Sequence, residues 1–271
     1  MPSDPIAAGY ALRPVIRVQH GVEEQADDCL AQEVPVAVLY DGDSFAVMMA
    51  TPADLEDFAY GFSLSEGRVA DTAMIHAVEV HEGFEGIQLN IVTDEAAITA
   101  EAPERLLPGR SGCGICGSRT LEEVVRHPTP VSGGISIDDA TLEKALAELR
   151  QRQPINALTG SVHAAAWALP DGSIHLVRED VGRHNALDKL IGAMLRQGID
   201  AQQGFLLITS RASYEMVTKA ATAGIGLMAA ISAPTALAVH LARDCGVTLI
   251  GFARPGRHVI YSHPQRLLRN D

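Results

Sequence analysis

The second half of the chain alternates short apolar runs with longer amphipathic ones, and that alternation leaves few folds open. "GFLLITS", "GLMAAIS" and "VTLIGFA" are brief, uncharged and bulky, as buried strands are. Between and before them, "NALDKLIGAMLRQG", "YEMVTKAATAG" and "PTALAVHLARDCG" carry apolar residues at helical spacing. Ahead of the series, "SVHAAAWALPDGSIHLVRED" reads as two strands around Pro170, Asp171 and Gly172. The pattern predicts a largely parallel sheet covered by helices and joined by right-handed crossovers. With 47% hydrophobic residues in 271, the chain can bury such a core.

One part of the series passes the length test for a membrane span: Ala220 to Val239 contains no charge. Gly224, Gly226 and the cluster Ser232, Ala233, Pro234, Thr235 divide it into a helix end, a strand, a turn and a new helix start, so no membrane is expected.

The first hundred residues follow a different pattern. Residues from about 11 to 93 read as mainly extended, and "EVPVAVLYDGDSFAVMMATP" reads as a hairpin around Asp41, Gly42 and Asp43. A short helix is predicted next, with Thr51 as N-cap, Pro52 at its first position, Leu55, Phe58 and Phe62 on one face, and Gly61 or Gly67 near its end. "DDATLEKALAELRQRQP" is a clear amphipathic helix stopped by Pro154. The expected class is therefore α/β, α+β overall. It divides into a β-rich subdomain at 1–100, a glycine-rich connector at 101–137 and an α/β domain at 138–271.

In sheets of this kind ligands collect beyond the carboxyl ends of the strands. There the sequence places "TSRAS" (209–213), "SAPT" (232–235) and "FARPGR" (252–257), with "REDVGRHNA" (178–186) opening a helix. Any one such loop could be helix caps and solvated arginines. Successive loops with the same hydroxyls and with Arg183, Arg211, Arg254 and Arg257 suit a phosphate or pyrophosphate. His163 and His184 are the histidines expected nearest that rim, each either a structural or a functional imidazole. Glu179 and Asp180 are expected to complement a helix dipole and pair locally with Arg183. Neither GxGxxG nor GxxxxGK[ST] occurs. A net charge of −13 argues against a nucleic-acid coat, so an anionic ligand needs a few placed residues.

The connector holds "GRSGCGICGS", with Cys113 and Cys116 three positions apart among glycines. The other cysteines, Cys29 and Cys245, are isolated, so a four-ligand zinc site is not expected. A zinc deaminase would place H-x-E ahead of P-C-x-x-C, whereas "VHAAA" follows the cysteines and has Ala165 in place of the glutamate. A thioredoxin-like pair would sit at a helix start after a strand. Flanking glycines instead suit an exposed thiolate with reach, as a sulfur carrier needs. Few cysteines, and an opening segment without a basic or long apolar region, point to a reducing cytoplasm.

Taken in order, "TPADLEDFAYGFSLSEG", "CGICG", "TGSVHAAA", "EDVGRHNALDKLIG", "TSRASYEMVTKAATAGI", "SAPTALAVHLA" and "GFARPGR" resemble the formate dehydrogenase accessory sulfurtransferase family, FdhD. Ser161 stands where that family often has glycine, and Thr209 where it often has serine or glycine. The resemblance implies a homodimer with a fold similar to cytidine deaminases. It implies a carrier that takes persulfide sulfur from a cysteine desulfurase. The sulfur goes to the molybdenum bis-pyranopterin guanine dinucleotide cofactor, for the formate dehydrogenase catalytic subunit. On that resemblance Cys113 carries the persulfide with Cys116 as partner, and Phe252, Ala253, Arg254, Pro255, Gly256 and Arg257 contact the cofactor. Two other classes remain open: a non-catalytic chaperone that binds and inserts the cofactor, and a dithiol oxidoreductase acting on proteins.

Overall fold

The computed structural model describes residues 9–94 and 128–268. The α/β class holds. A six-stranded sheet in the order β13-β12-β11-β10-β8-β9 forms the centre of the C-terminal half. Its strands are β8 (His163–Ala168), β9 (Ile174–Asp180), β10 (Phe205–Ile208), β11 (Leu227–Ala230), β12 (Thr248–Arg254) and β13 (Arg257–Ser262). Only the β10–β11 and β11–β12 pairings are parallel; the other three are antiparallel. The expected largely parallel sheet is thus a mixed one. Tight turns close β8 onto β9 and β12 onto β13, and such hairpins can only be antiparallel.

Side-chain alternation along β8 explains the layering. Ala165 and Trp167 face one core with α4 (Arg183–Arg196), α5 (Tyr214–Thr222) and α6 (Ala236–Asp244). Ala164, Ala166 and Ala168 face a second core with α2 (Asp139–Gln151), whose Leu142, Ala145, Leu146 and Leu149 are all buried. The Asp138 carboxylate caps α2 by accepting from Thr141 N at 2.8 Å. Pro154 ends that run and also opens the short α3 (Pro154–Thr159).

The N-terminal half builds a four-stranded sheet, β4-β3-β6-β5, from β3 (Val34–Tyr40), β4 (Asp43–Ala50), β5 (Ile75–Glu82) and β6 (Ile87–Thr93). The predicted β3–β4 hairpin is present. A separate ribbon, β1 (Tyr10–Gln19) and β2 (Val22–Ala31), pairs along its whole length and is largely exposed. A two-residue pair, β7 (Ile137–Asp138) with β14 (Leu267–Leu268), completes the strands among the described residues.

Helix α1 (Leu55–Ser65) lies between the two halves. Leu55, Phe58 and Phe62 bury against β3 and β6 as their spacing predicts. The helix starts later than its sequence suggests, with Asp54 rather than Thr51 at the N-cap. Thr51 is drawn away because it bonds the other half of the molecule: its amide donates to Asp180 Oδ2 at 3.0 Å, and its hydroxyl accepts from Val181 N at 3.1 Å. Of the two glycines expected near the end of α1, Gly67 closes the helix, with φ +69° and its amide donating to Leu64 O at 2.9 Å, while Gly61 lies inside it. A Cβ on Gly61 would lie 1.8 Å from the Asp188 carbonyl oxygen, and one on Gly192 would lie 1.8 Å from the Asp57 carbonyl oxygen. The two glycines let α1 and α4 cross backbone to backbone. Because the obstacle is backbone on both sides, Gly61→Ala should lower unfolding free energy by about 3 kcal/mol in urea denaturation, the upper range for overpacking. An unchanged midpoint would mean that the helices can separate at little cost.

Candidate functional site at the strand-end rim

Because β10, β11 and β12 are parallel, their carboxyl ends share one edge of the sheet. The antiparallel β8 starts there and β9 ends there, which adds His163 and Asp180. Backbone hydrogen bonds tie the strand-end loops to one another. Ile231 N donates to Ile208 O at 2.9 Å, Ala212 N to Ala233 O at 3.2 Å, Thr235 N to Ala212 O at 3.0 Å and Phe252 N to Ser232 O at 3.1 Å. The loops expected from sequence therefore do form one continuous rim.

Phe252 stands out on it. Its φ is +51°, in the left-handed region, at a bulge where the β12–β13 register shifts. Such a conformation costs a non-glycine residue about 1–3 kcal/mol and persists where surroundings impose it. The residue remains 41% exposed. The segment read as a loop is a hairpin: Phe252, Ala253 and Arg254 belong to β12, Pro255 and Gly256 turn, and Arg257 opens β13. Arg254 Nη1 donates to Ile231 O on the rim. The Ala253 side chain is buried in the core, and Gly256 N donates to Glu143 Oε1 of α2 at 2.7 Å. Arg257 is exposed. Cys113 and Cys116 lie outside the described residues.

At the other end of the rim sit His163, Thr209, Ser213, Arg183 and His184. Thr209 Oγ1 accepts from Ala164 N at 2.9 Å, pinning its loop to β8. His184 Nε2 is 2.7 Å from Glu215 Oε2, which joins the first turns of α4 and α5. Burial, then the nearby positive charge of Arg183 and His184, pull the His163 imidazole below its ordinary value, against Asp180.

Sequence reasoning missed what holds this end in place. Asp180 does not pair with Arg183. Its Oδ2 accepts from Lys189 Nζ at 2.6 Å, and its Oδ1 from Gly182 N at 2.7 Å and Asn185 Nδ2 at 3.0 Å. Lys189, fully buried, also donates to Thr51 O at 2.8 Å, and Asn185 Nδ2 to Met49 O at 2.8 Å. One carboxylate thus fastens the end of β4 to the start of α4. Removing one partner of a buried pair of this kind costs about 3–5 kcal/mol. Glu179 instead accepts from Ile155 N and Asn156 N at the start of α3, and burial raises its carboxyl above the usual range. No spacing rule reports a Thr51–Asp180 contact, because the partners are far apart in sequence.

The sheet, its covering helices and this rim define an α/β protein with a donor-rich edge at the carboxyl ends of its parallel strands. The sequence profile of the FdhD/NarQ family matches residues 31–268. The chain is 55% identical over 267 residues to the sulfur carrier protein FdhD of Xanthomonas campestris pv. campestris (strain B100), covering 98% of this chain and 95% of that one. It is 50% identical over 270 residues to the protein of the same name from Cupriavidus necator, covering 97% and 94%. A crystal structure described as a formate dehydrogenase accessory protein from Desulfotalea psychrophila superposes with a TM-score of 0.78 at 24% identity, covering 96% of this chain and all of that one. This chain belongs to the FdhD/NarQ family. Among the described residues no helix is long and apolar enough to cross a membrane.

The electrostatics of the rim give a direct check. In an NMR titration the His163 imidazole should have its midpoint below 6.5, and Arg183→Gln should move that midpoint upward. Protonation of His163 is disfavoured in the fold, so its contribution to stability is full above the unfolded value near 6.5 and is lost as pH falls through the window below it. A midpoint at or above 6.5 would contradict the arrangement.

Proposed function

We propose that this protein is a sulfurtransferase that carries sulfur as a persulfide on Cys113, with Cys116 as its partner thiol. The donor is a cysteine desulfurase and the acceptor is the molybdenum bis-pyranopterin guanine dinucleotide cofactor of formate dehydrogenase. The observation that carries the reading is the near full-length identity to proteins named as sulfur carriers. The rim supports it, since hydroxyls, amides and arginines at strand ends match guanine nucleotides and pyrophosphates.

The Cys113 thiolate attacks the terminal sulfur of the desulfurase persulfide; the old S–S bond breaks and the desulfurase leaves as a thiolate. Cys113 then holds the persulfide. In the second step the Cys116 thiolate attacks the inner sulfur, forms a Cys113–Cys116 disulfide and expels the terminal sulfur as hydrosulfide, which becomes a ligand of the molybdenum. A cellular thiol reductant returns the disulfide to the dithiol. The acceptor lies along the rim, with the Phe252 to Arg257 hairpin at one end.

Mass spectrometry under non-reducing conditions, after incubation with a cysteine desulfurase and cysteine, should show added sulfur on the peptide containing Cys113, and Cys113→Ala should abolish sulfuration of the cofactor. Thiols left unmodified while the desulfurase turns over would favour a chaperone that only binds and inserts the cofactor. Separately, Arg254→Glu or Arg257→Glu should weaken cofactor binding about tenfold or more while leaving Cys113 loadable. Equal affinity in both variants would remove the hairpin from the binding site.

A further inference from the structure

The end of the sheet opposite the rim carries a cavity of its own. It opens where β8 ends, β9 begins and the loop after α4 leads into β10, and its volume is about 490 Å³. Its walls are mainly apolar: Ile135, Leu169, Pro170 and Ile199 line it, with the fully buried Trp167 beneath. A concave, mostly apolar space of this size is what small-molecule sites require.

Trp167 also carries an unmatched polar atom. Its Nε1 is shut off from solvent and has no hydrogen-bond partner among the described residues. A buried indole N–H normally finds one. Packing of the ring sets the side from which a partner must come, because a Cβ on Gly204 would lie 2.6 Å from Trp167 Cε2, the carbon bonded to Nε1. The nitrogen side of the indole therefore lies at the 202–204 loop, where Gln202 and Gln203 wall the cavity. Both of their side-chain amides donate elsewhere, Gln202 to Gly224 O at 2.9 Å and Gln203 to Asp200 Oδ2 at 3.2 Å.

The charges at the cavity narrow the ligand. No lysine or arginine is among its described lining residues, while Asp200 places a carboxylate there. An anion is therefore disfavoured, phosphates included. An ammonium gains little, since both Asp200 oxygens already accept, Oδ1 from Gln202 N at 2.8 Å and Oδ2 from Gln203. What fits is uncharged, apolar over most of its surface and equipped with an acceptor for one donor-only N–H. A ring suits it better than a chain, because a rigid body loses less conformational freedom on binding.

We propose that this cavity binds a neutral, largely apolar ring compound through one carbonyl oxygen, which accepts from Trp167 Nε1 while the ring packs on Leu169 and Ile199. The exposed Gln203, held to Asp200 by a long bond, swings aside to let the carbonyl reach the indole. The site is independent of the sulfur chemistry and of the rim.

Trp167 is the single tryptophan of the chain, so the full-length protein gives one indole N–H signal, and that signal reports on this cavity alone. In an NMR titration with 2-quinolone the indole proton should shift downfield and saturate. Naphthalene, the same fused rings without the acceptor, should bind about tenfold more weakly and cause no downfield shift. Quinoline-2-carboxylate, which adds a negative charge, should also bind about tenfold more weakly or worse. In Trp167→Phe, which keeps an aromatic ring and removes the donor, calorimetry should give 2-quinolone and naphthalene equal affinities. An indole proton unmoved by 2-quinolone, equal wild-type affinities for 2-quinolone and naphthalene, or tighter binding of the carboxylate would each overturn the site. These three readings use the wild type, so they stand whether or not the Trp167→Phe variant folds.

Discussion

The crossing of α1 over α4 at Gly61 and Gly192 is the constraint on which the rest of the molecule depends. At that distance the only side chains that fit on the facing surfaces are hydrogens, so the crossing point itself buries almost no apolar area. Cohesion comes from its surroundings. On one side the Lys219 ammonium donates to Ser65 Oγ, Glu66 Oε1 and both oxygens of Asp188, all within 2.9 Å. Burial alone would pull that ammonium down, but Asp188 and Glu66 more than reverse it. On another side Asp57 takes Arg178 Nη2 at 2.7 Å and Arg196 Nη1 at 2.6 Å. Buried ion pairs of this kind add little net stability compared with apolar packing. What they add is register: one α1–α4 alignment satisfies every charge, and any slip would leave some of them buried and unpaired.

That register reaches the rim through one carboxylate. Helix α4 could begin in several orientations if only apolar residues held it, because apolar contacts are non-directional. Asp180 removes the choice. By accepting from Gly182 N, Asn185 Nδ2, Lys189 Nζ and Thr51 N, it sets the direction in which the first turn of α4 presents Arg183 and His184. The N-terminal half therefore helps to place the rim that lies on the C-terminal sheet. Groups held in place by the fold leave less ordering to any binding step, which is why the rim suits the function proposed above.

Much of this was legible in the sequence, and the reason lies in period. Strands β10, β11 and β12 and helices α2, α4, α5 and α6 sit where periodic apolar spacing places them, because burial there is decided by local alternation. The rim loops followed from the ends of those strands. Strand direction was not legible, since a short apolar run carries no sign of whether its neighbour is parallel, and β13 lay hidden behind a turn read as a loop. The start of α1 was misplaced because Thr51 has two competing uses, helix cap or cross-link to Asp180, and the second depends on a partner that no local window contains. Lys189 and Lys219 look like ordinary surface lysines of amphipathic helices; only the crossing geometry makes them internal.

The acidity of the chain sharpens the case for a built site at the rim. At a net charge of −13, long-range repulsion works against any phosphate-bearing ligand, and screening at physiological salt limits that repulsion to about 8 Å. Affinity must then come from groups that act at contact. Amides at two helix starts do this well, because their partial charges are fixed by the backbone and carry no formal charge that a surface carboxylate could neutralise. At the rim the start of α4 is held by Asp180, and α4 itself is placed by the Gly61–Gly192 crossing, so the orientation of its first-turn amides is set by the fold rather than by surface charge.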